Sequence, residues 1–170
     1  MCQSSREAVY LDTLSQIGVN LGDSASLFTS VGWRDLDIDE LKGRLGTELW
    51  TVEFEIEKGL VRRFVQAVDD PNPRWQVMAP PTLVLTVGID QIQQWQASAF
   101  PSATLLHGST ELECYQPVKV GDVIRASVAV AGIRERPGKM GRMLFITLET
   151  SYTNQRQEAV AKSRQLVMSY

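Results

Sequence analysis

Two hydrophobic rhythms divide this chain. Up to about residue 45 the apolar positions fall into only short or weak periodic patterns. Leu11, Leu14 and Ile17 recur every three residues and predict a short amphipathic helix ending at Gly18. A polar stretch from Gly22 to Ser26 follows, and then a weaker helical pattern of Ile38, Leu41 and Leu45 that Gly43 and Gly46 interrupt. Residues 1–45 are expected to form an N-terminal helical extension that packs on the main domain, residues 46–170, because this segment cannot bury much apolar surface by itself.

From Leu49 the pattern sharpens. Leu49–Ile56 reads as a strand, and Leu60, Val61, Phe64, Val65 and Val68 then share one helical face. That helix must stop at Asp69-Asp70-Pro71-Asn72-Pro73, since proline removes a backbone donor and restricts the residue before it. Pro80-Pro81-Thr82 is expected to launch a second helix, with Thr82 as its N-cap. Leu83, Val84, Leu85, Val87, Ile89 and Ile92 make that helix apolar nearly all round, so it is expected to be buried on most sides.

Strands follow. Thr104–Tyr115 leads into a turn at Pro117–Asp122, and Ile124, Ala126, Val128 and Val130 alternate within Val123–Ile133. A loop from Arg136 to Gly141 separates this strand from Met143–Thr153, and a turn at Asn154–Glu158 leads into Ala159–Ser169. Long antiparallel strands beside one greasy helix predict an α+β fold, a sheet curled around a buried helix.

Composition narrows the function. The chain has 170 residues, 44% hydrophobic and 22% charged, and a formal charge of −3, so nothing in bulk attracts it to nucleic acid or to an anionic membrane. Its apolar runs fall short of the roughly 20 residues of a membrane span. The N-terminus lacks a charged-then-apolar leader, and Cys2 and Cys114 cannot build a disulfide framework, so a cytoplasmic protein is expected. A single histidine, His107, rules out histidine-pair metal sites, and no metal or cofactor is expected.

The run Arg63-Phe64-Val65-Gln66-Ala67-Val68-Asp69-Asp70-Pro71-Asn72-Pro73 is followed by Ala79-Pro80-Pro81-Thr82, Leu106-His107-Gly108, Gln116–Asp122, Gly141–Thr150 and Thr153-Asn154-Gln155. In this order, over about residues 50–170, these pieces resemble the hotdog-fold MaoC-like dehydratases. The closer resemblance is to the group described as N-terminal MaoC-like or fatty-acid-synthase-like dehydratase domains. The resemblance implies hydration or dehydration of an enoyl or 3-hydroxyacyl thioester, carried on coenzyme A or acyl-carrier protein, in lipid or polyketide-type metabolism. It also implies a dimer, with itself or with a second hotdog subunit.

Active members of that family are similar in an Asp-x-Asn-Pro-x-His pattern, whose Asp and His activate water as an acid–base pair, and in a free N–H at the start of the central helix that stabilises the enolate. Here Asp70, Asn72 and Pro73 match, but the histidine position is Trp75, and an indole cannot shuttle a proton. The helix start is Pro80-Pro81, which has no N–H to offer. Asp70 either touches substrate or only bonds backbone N–H groups. Asn72, Trp75, Pro81 and Thr82 are candidates for substrate binding, with turn-forming and packing roles as the plainer readings of Asn72 and Trp75.

His107 is a weaker candidate for catalysis. By strand parity it sides with Glu111 and Glu113 on the polar face, unless Gly108 introduces a bulge. Cys114, on the parity of Leu106 and Leu112, is expected in the core. The cluster Arg134, Arg136, Lys139 and Arg142 is either solvated loop charge or a contact for a coenzyme A phosphate. Three functions remain open: a hydro-lyase using Asp70, a non-catalytic thioester-binding subunit of a heteromeric dehydratase, and a repurposed hotdog acting on a biosynthetic intermediate.

Overall fold

The computed structural model describes residues 38–99, 104–138 and 141–169, and the helix expected around Leu11–Ile17 lies outside them. A short helix α1 (Ile38–Gly43) precedes strand β1 (Glu48–Glu55) and helix α2 (Lys58–Ala67). Two 3₁₀ turns, Pro73–Gln76 and Pro81–Thr86, come before helix α3 (Ile89–Ala99). Strands β2 (Leu105–Cys114), β3 (Val123–Gly138), β4 (Gly141–Thr153) and β5 (Ala159–Ser169) complete the chain. The five strands form one antiparallel sheet in the order β1-β3-β4-β5-β2.

Alternation decides which face of the sheet is buried. Ile124, Ala126, Val128 and Val130 of β3 and Leu144, Ile146, Leu148 and Tyr152 of β4 are all buried on the side that carries the helices. Leu83, Val84 and Val87 pack with Ile124, Ala126, Tyr152 and Val160, while Ile92 and Trp95 of α3 pack with Val128, Leu144 and Leu148. Ile38 of α1 joins the second group, whereas Leu45 stays exposed. Burial pushes the Tyr152 phenol above its ordinary pKa, and the Ser163 hydroxyl is its hydrogen-bond neighbour at 3.3 Å.

Four expectations need correction. The helix expected to run on from Thr82 is a 3₁₀ turn and an α-helix separated at Val87-Gly88. The Leu83 N–H bonds the Pro80 carbonyl three residues back at 2.9 Å, and Gly88 takes φ +80 with Val52 Cγ1 only 3.1 Å from where a Cβ would stand. Thr82 is therefore no N-cap; it is exposed inside the 3₁₀ turn, and Pro80 occupies the cap position without a side-chain bond. Nor is the segment apolar-buried all round, since Ile89 is 39% exposed, as is Val68 of the earlier pattern at 52%.

The hairpin expected as a loop from Arg136 to Gly141 is instead ladder up to its tip, with Arg136 opposite Met143 and Gly138 opposite Gly141. Within the basic cluster there, Arg142 faces Glu135 at 3.5 Å.

Candidate functional site

The Asp70 turn is built by its own sequence. Asp69 sits at φ 51, a left-handed conformation that Asp tolerates better than most residues, and ends α2. Asn72 caps the 3₁₀ turn that follows, accepting the Arg74 N–H at 3.1 Å, and Pro73 fits the first position of that turn because its missing N–H would have been unpaired. The turn carries Trp75 back over Asp70, where the indole Nε1–H donates to Asp70 Oδ2 at 2.8 Å. Asp70 Oδ1 accepts the Asn72 N–H at 3.2 Å. Both carboxylate oxygens are thus engaged by local donors. Trp75 is half-buried against the cluster that holds Val61 and Leu83, and the Arg74 guanidinium lies 6.0 Å from its ring centre.

Beside this turn lies a pocket of about 470 Å³ between α2 and the 3₁₀ turn, lined in part by Val65, Pro71, Asn72 and Trp75, with Lys58 and Arg62 also on its wall. Sequence reasoning missed those two cations. Their signal was present in the four-residue spacing, which puts both on one face of α2.

The helix start sits on a different segment. Ala79 donates its N–H to the Val118 carbonyl at 2.9 Å, and the next two residues, Pro80 and Pro81, have none. Pro80 is buried, and Pro81 and Thr82 are exposed.

His107 stands apart again. Among the described residues its polar contact is Thr110 Oγ1, 3.1 Å from Nε2, and no hydrogen bond joins it to the Asp70 turn. The parity expected for it does not hold, because the register slips between His107 and Ser109. A Cβ at Gly108 would stand 3.2 Å from both the Leu166 side chain and its carbonyl oxygen. Across the slip His107 lies opposite buried Val167 and Leu112 opposite buried Ser163, so His107 shares the helix-side face with Leu112 rather than the outer face with Glu111. It is nonetheless exposed, and so is Cys114, which was expected in the core although it pairs with buried Ala161. The reason is common to both: β2 is an edge strand, and its helix-side face extends past what α3 and the 3₁₀ turn cover.

Among the described residues no three His, Cys, Asp or Glu side chains gather as a metal site would need, and no helix is long and apolar enough to cross a membrane. Residues 44–163, more than half of the chain, match the model of the family described as FAS1-like, dehydratase domain region. The chain belongs to this family.

A UPF0336 protein of Thermobifida fusca is 24% identical over 125 residues, 65% of this chain and 80% of that protein. Among solved structures, the HadBC (3R-hydroxyacyl-ACP dehydratase) complex of Mycobacterium tuberculosis matches with a TM-score of 0.58 and 18% identity, covering 69% of this chain and 90% of that one. The ChsH1-ChsH2 complex of the same organism matches at TM-score 0.60 and 13% identity over 77% and 87% of the two chains. These likenesses are of fold, and they make the architecture of this dehydratase domain region a hotdog.

Within this dehydratase domain, then, Asp70, Asn72 and Trp75 come together in one turn, and Pro81, Thr82 and His107 lie on other elements without a hydrogen bond to it.

Proposed function

We propose that this chain is the acyl-thioester-binding half of a hotdog dehydratase that acts on enoyl or 3-hydroxyacyl thioesters, carried on coenzyme A or acyl-carrier protein, with proton transfer supplied by a second hotdog subunit. The observation that carries the reading is the 2.8 Å bond from Trp75 Nε1–H to Asp70. A dehydratase pair must pass a proton between water and the substrate carbon, so one member has to accept as well as donate. The indole donates only, and it spends its one donor on the carboxylate. Asp70 retains the geometry of a catalytic turn without a partner that can cycle a proton. Pro80 and Pro81 offer no N–H at the two positions where the resemblance sets the enolate-stabilising donor, and loss of one such donor is typically worth about 10²–10³ in rate.

A second subunit is supported by the exposed helix-side face of β2, where His107, Thr110 and Cys114 lie uncovered at the sheet edge. It is supported also by the fold neighbours described as complexes, HadBC and ChsH1-ChsH2.

The test is co-expression with a hotdog chain that carries an intact Asp-x-Asn-Pro-x-His pattern, followed by enoyl-thioester hydration by the purified pair. Replacing the histidine of that second pattern should cut turnover by about 10² or more, the usual scale for an acid–base group. Asp70→Asn in this chain should leave turnover within about threefold, as expected for a group outside proton transfer. A fall of about 10²-fold on Asp70→Asn in a folded pair would overturn the reading and return Asp70 to the chemistry.

A further inference from the structure

We propose that residues 1–37 of this chain dock on the outer face of its sheet, through the apolar stripe Leu11, Leu14 and Ile17. The surface is one that the thioester reading does not use. An antiparallel sheet with one face in water alternates apolar inward with polar outward. One end of this sheet departs from that rule. Met143 and Phe145 of β4 alternate with buried Leu144 and Ile146, so they face away from the helices, yet they are apolar and half-buried. Leu166 and Met168 of β5 do the same beside buried Gln165 and Val167. Phe145 stands opposite Met168, and Met168 opposite Leu106 of β2, which is 45% exposed. None of these five belongs to the two core clusters, to which α1, α2, α3 and the Pro81–Thr86 turn contribute from the other side. They make one apolar patch across three strands, and a contiguous patch of this kind marks an interaction surface.

The other end of the same face is built for water. There Glu149 pairs with Lys162 at 2.7 Å and with Arg164 at 2.9 Å, and Glu53 lies 4.0 Å from Arg125. The apolar patch is therefore a local feature and not the general character of the face.

Two observations select residues 1–37 as the occupant. The first is the position of α1. Ile38 is buried in the cluster that holds Leu144 and Ile146, the two residues that alternate with Met143 and Phe145. The chain before Ile38 thus arrives at the end of the sheet whose reverse side is apolar. The 20 residues Gly18–Asp37 can extend to about 70 Å, and five strands span only about 20 Å, so the stripe can reach the patch round an edge. The polar stretch Gly22–Ser26 suits such a passage.

The second is charge. Residues 1–37 hold five acidic side chains and two arginines, which accounts for the whole formal charge of −3. Arg134 and Arg136 of β3 stand directly opposite Phe145 and Met143 and give the patch a positive border. An acidic segment with an apolar stripe complements an apolar patch with a basic border.

The experiment uses the full chain carrying Leu14→benzoylphenylalanine, irradiated as a mixture of isotopically light and heavy protein. Crosslinks are expected within one chain, to peptides of β4 and β5 that contain Phe145 or Met168. In hydrogen exchange on the wild type, the amides of residues 8–18 should exchange about tenfold or more slower than free amides. The double variant Phe145→Glu/Met168→Glu should abolish that protection, while protected amides in β3 show that it is folded.

Four results would overturn the inference: crosslinks to α2 or α3, crosslinks between light and heavy chains, free exchange of residues 8–18 in the wild type, or unchanged protection in the folded double variant. Light–heavy crosslinks would give the patch to a second copy of the chain instead. If the double variant does not fold, the crosslink map and the wild-type exchange decide by themselves.

Discussion

Two turns of this molecule are closed by the same device. At Asp69–Pro73 the Asp70 carboxylate accepts the N–H of Asn72, two residues on, and Asp69 has φ 51. At Asn154–Glu158 the Asn154 carboxamide accepts the N–H of Arg156, two residues on at 2.9 Å, and Gln157 has φ 60. In the second turn every bond of the closing Asn154 side chain stays inside the hairpin. Asn154 is only 5% exposed, its Oδ1 also accepts the Glu158 N–H at 3.0 Å, and its Nδ2 donates to the Glu158 carboxylate at 2.7 Å. In the first turn the closing group is a carboxylate, and its free oxygen reaches out of the local motif to an indole five residues on. A neutral amide suffices where only shape is needed. A carboxylate paired with a side chain that can donate but never accept is the contrast on which the proposed thioester-binding reading rests.

The contrast can be broken at either turn. The largest effect is expected from Asn154→Ala, which removes a buried carboxamide and leaves two part-buried backbone N–H groups without their acceptor, and should cost about 2–3 kcal/mol in urea unfolding. Asp70→Ala removes a comparable number of acceptors from a half-buried turn that water can reach, and should cost about 1 kcal/mol. Equal losses at the two sites would mean that Asp70 is structural in the same sense as Asn154.

Trp75→Phe keeps the ring against the core and deletes only the N–H. It should cost about 0.5–1 kcal/mol and leave thioester binding intact, again read by unfolding and by titration. The smallest effect belongs to neither turn and serves as a control on the strand pair that the Asn154 turn joins. Desolvation would raise the Glu149 pKa, but hydrogen bonds from Lys162 at 2.7 Å and Arg164 at 2.9 Å outweigh it and hold the carboxyl below its ordinary value. A carboxyl whose folded-state pKa is lowered contributes stability above its unfolded value and loses it as the pH falls through the folded one. Glu149→Gln should therefore flatten the fall in stability below pH 4.5 by less than about 1 kcal/mol, since the pair is partly exposed.

How much of this could be read in the sequence follows from which forces act locally. The alternation of Ile124, Ala126, Val128 and Val130 predicts a strand with one buried face because burial itself imposes the period. The stop at Asp69–Pro73 was legible because proline chemistry is a property of the residue. The break at Gly88 was not legible, since it depends on how closely Val52 of β1 approaches that glycine. The face of His107 was legible only as a condition on Gly108, because a bulge is settled by the partner strand. The replacement of histidine by Trp75 was visible, but the indole's bond to Asp70 was not, as it needs the 3₁₀ turn that folds the chain back. Lys58 and Arg62 drew no notice because a helical pair of cations means little until a pocket forms beside it.

The central claim is that this hotdog keeps the shape of a dehydratase site and not its proton relay. The most direct measurement is hydration of crotonyl-coenzyme A by the purified chain without any second subunit. The account predicts a rate lower than that of an intact hotdog pair by about 10²-fold or more, since both the relay partner and a helix-start donor are missing. Robust turnover by the folded chain alone would contradict it, and abolition of that turnover by His107→Gln would show which group had taken over the proton.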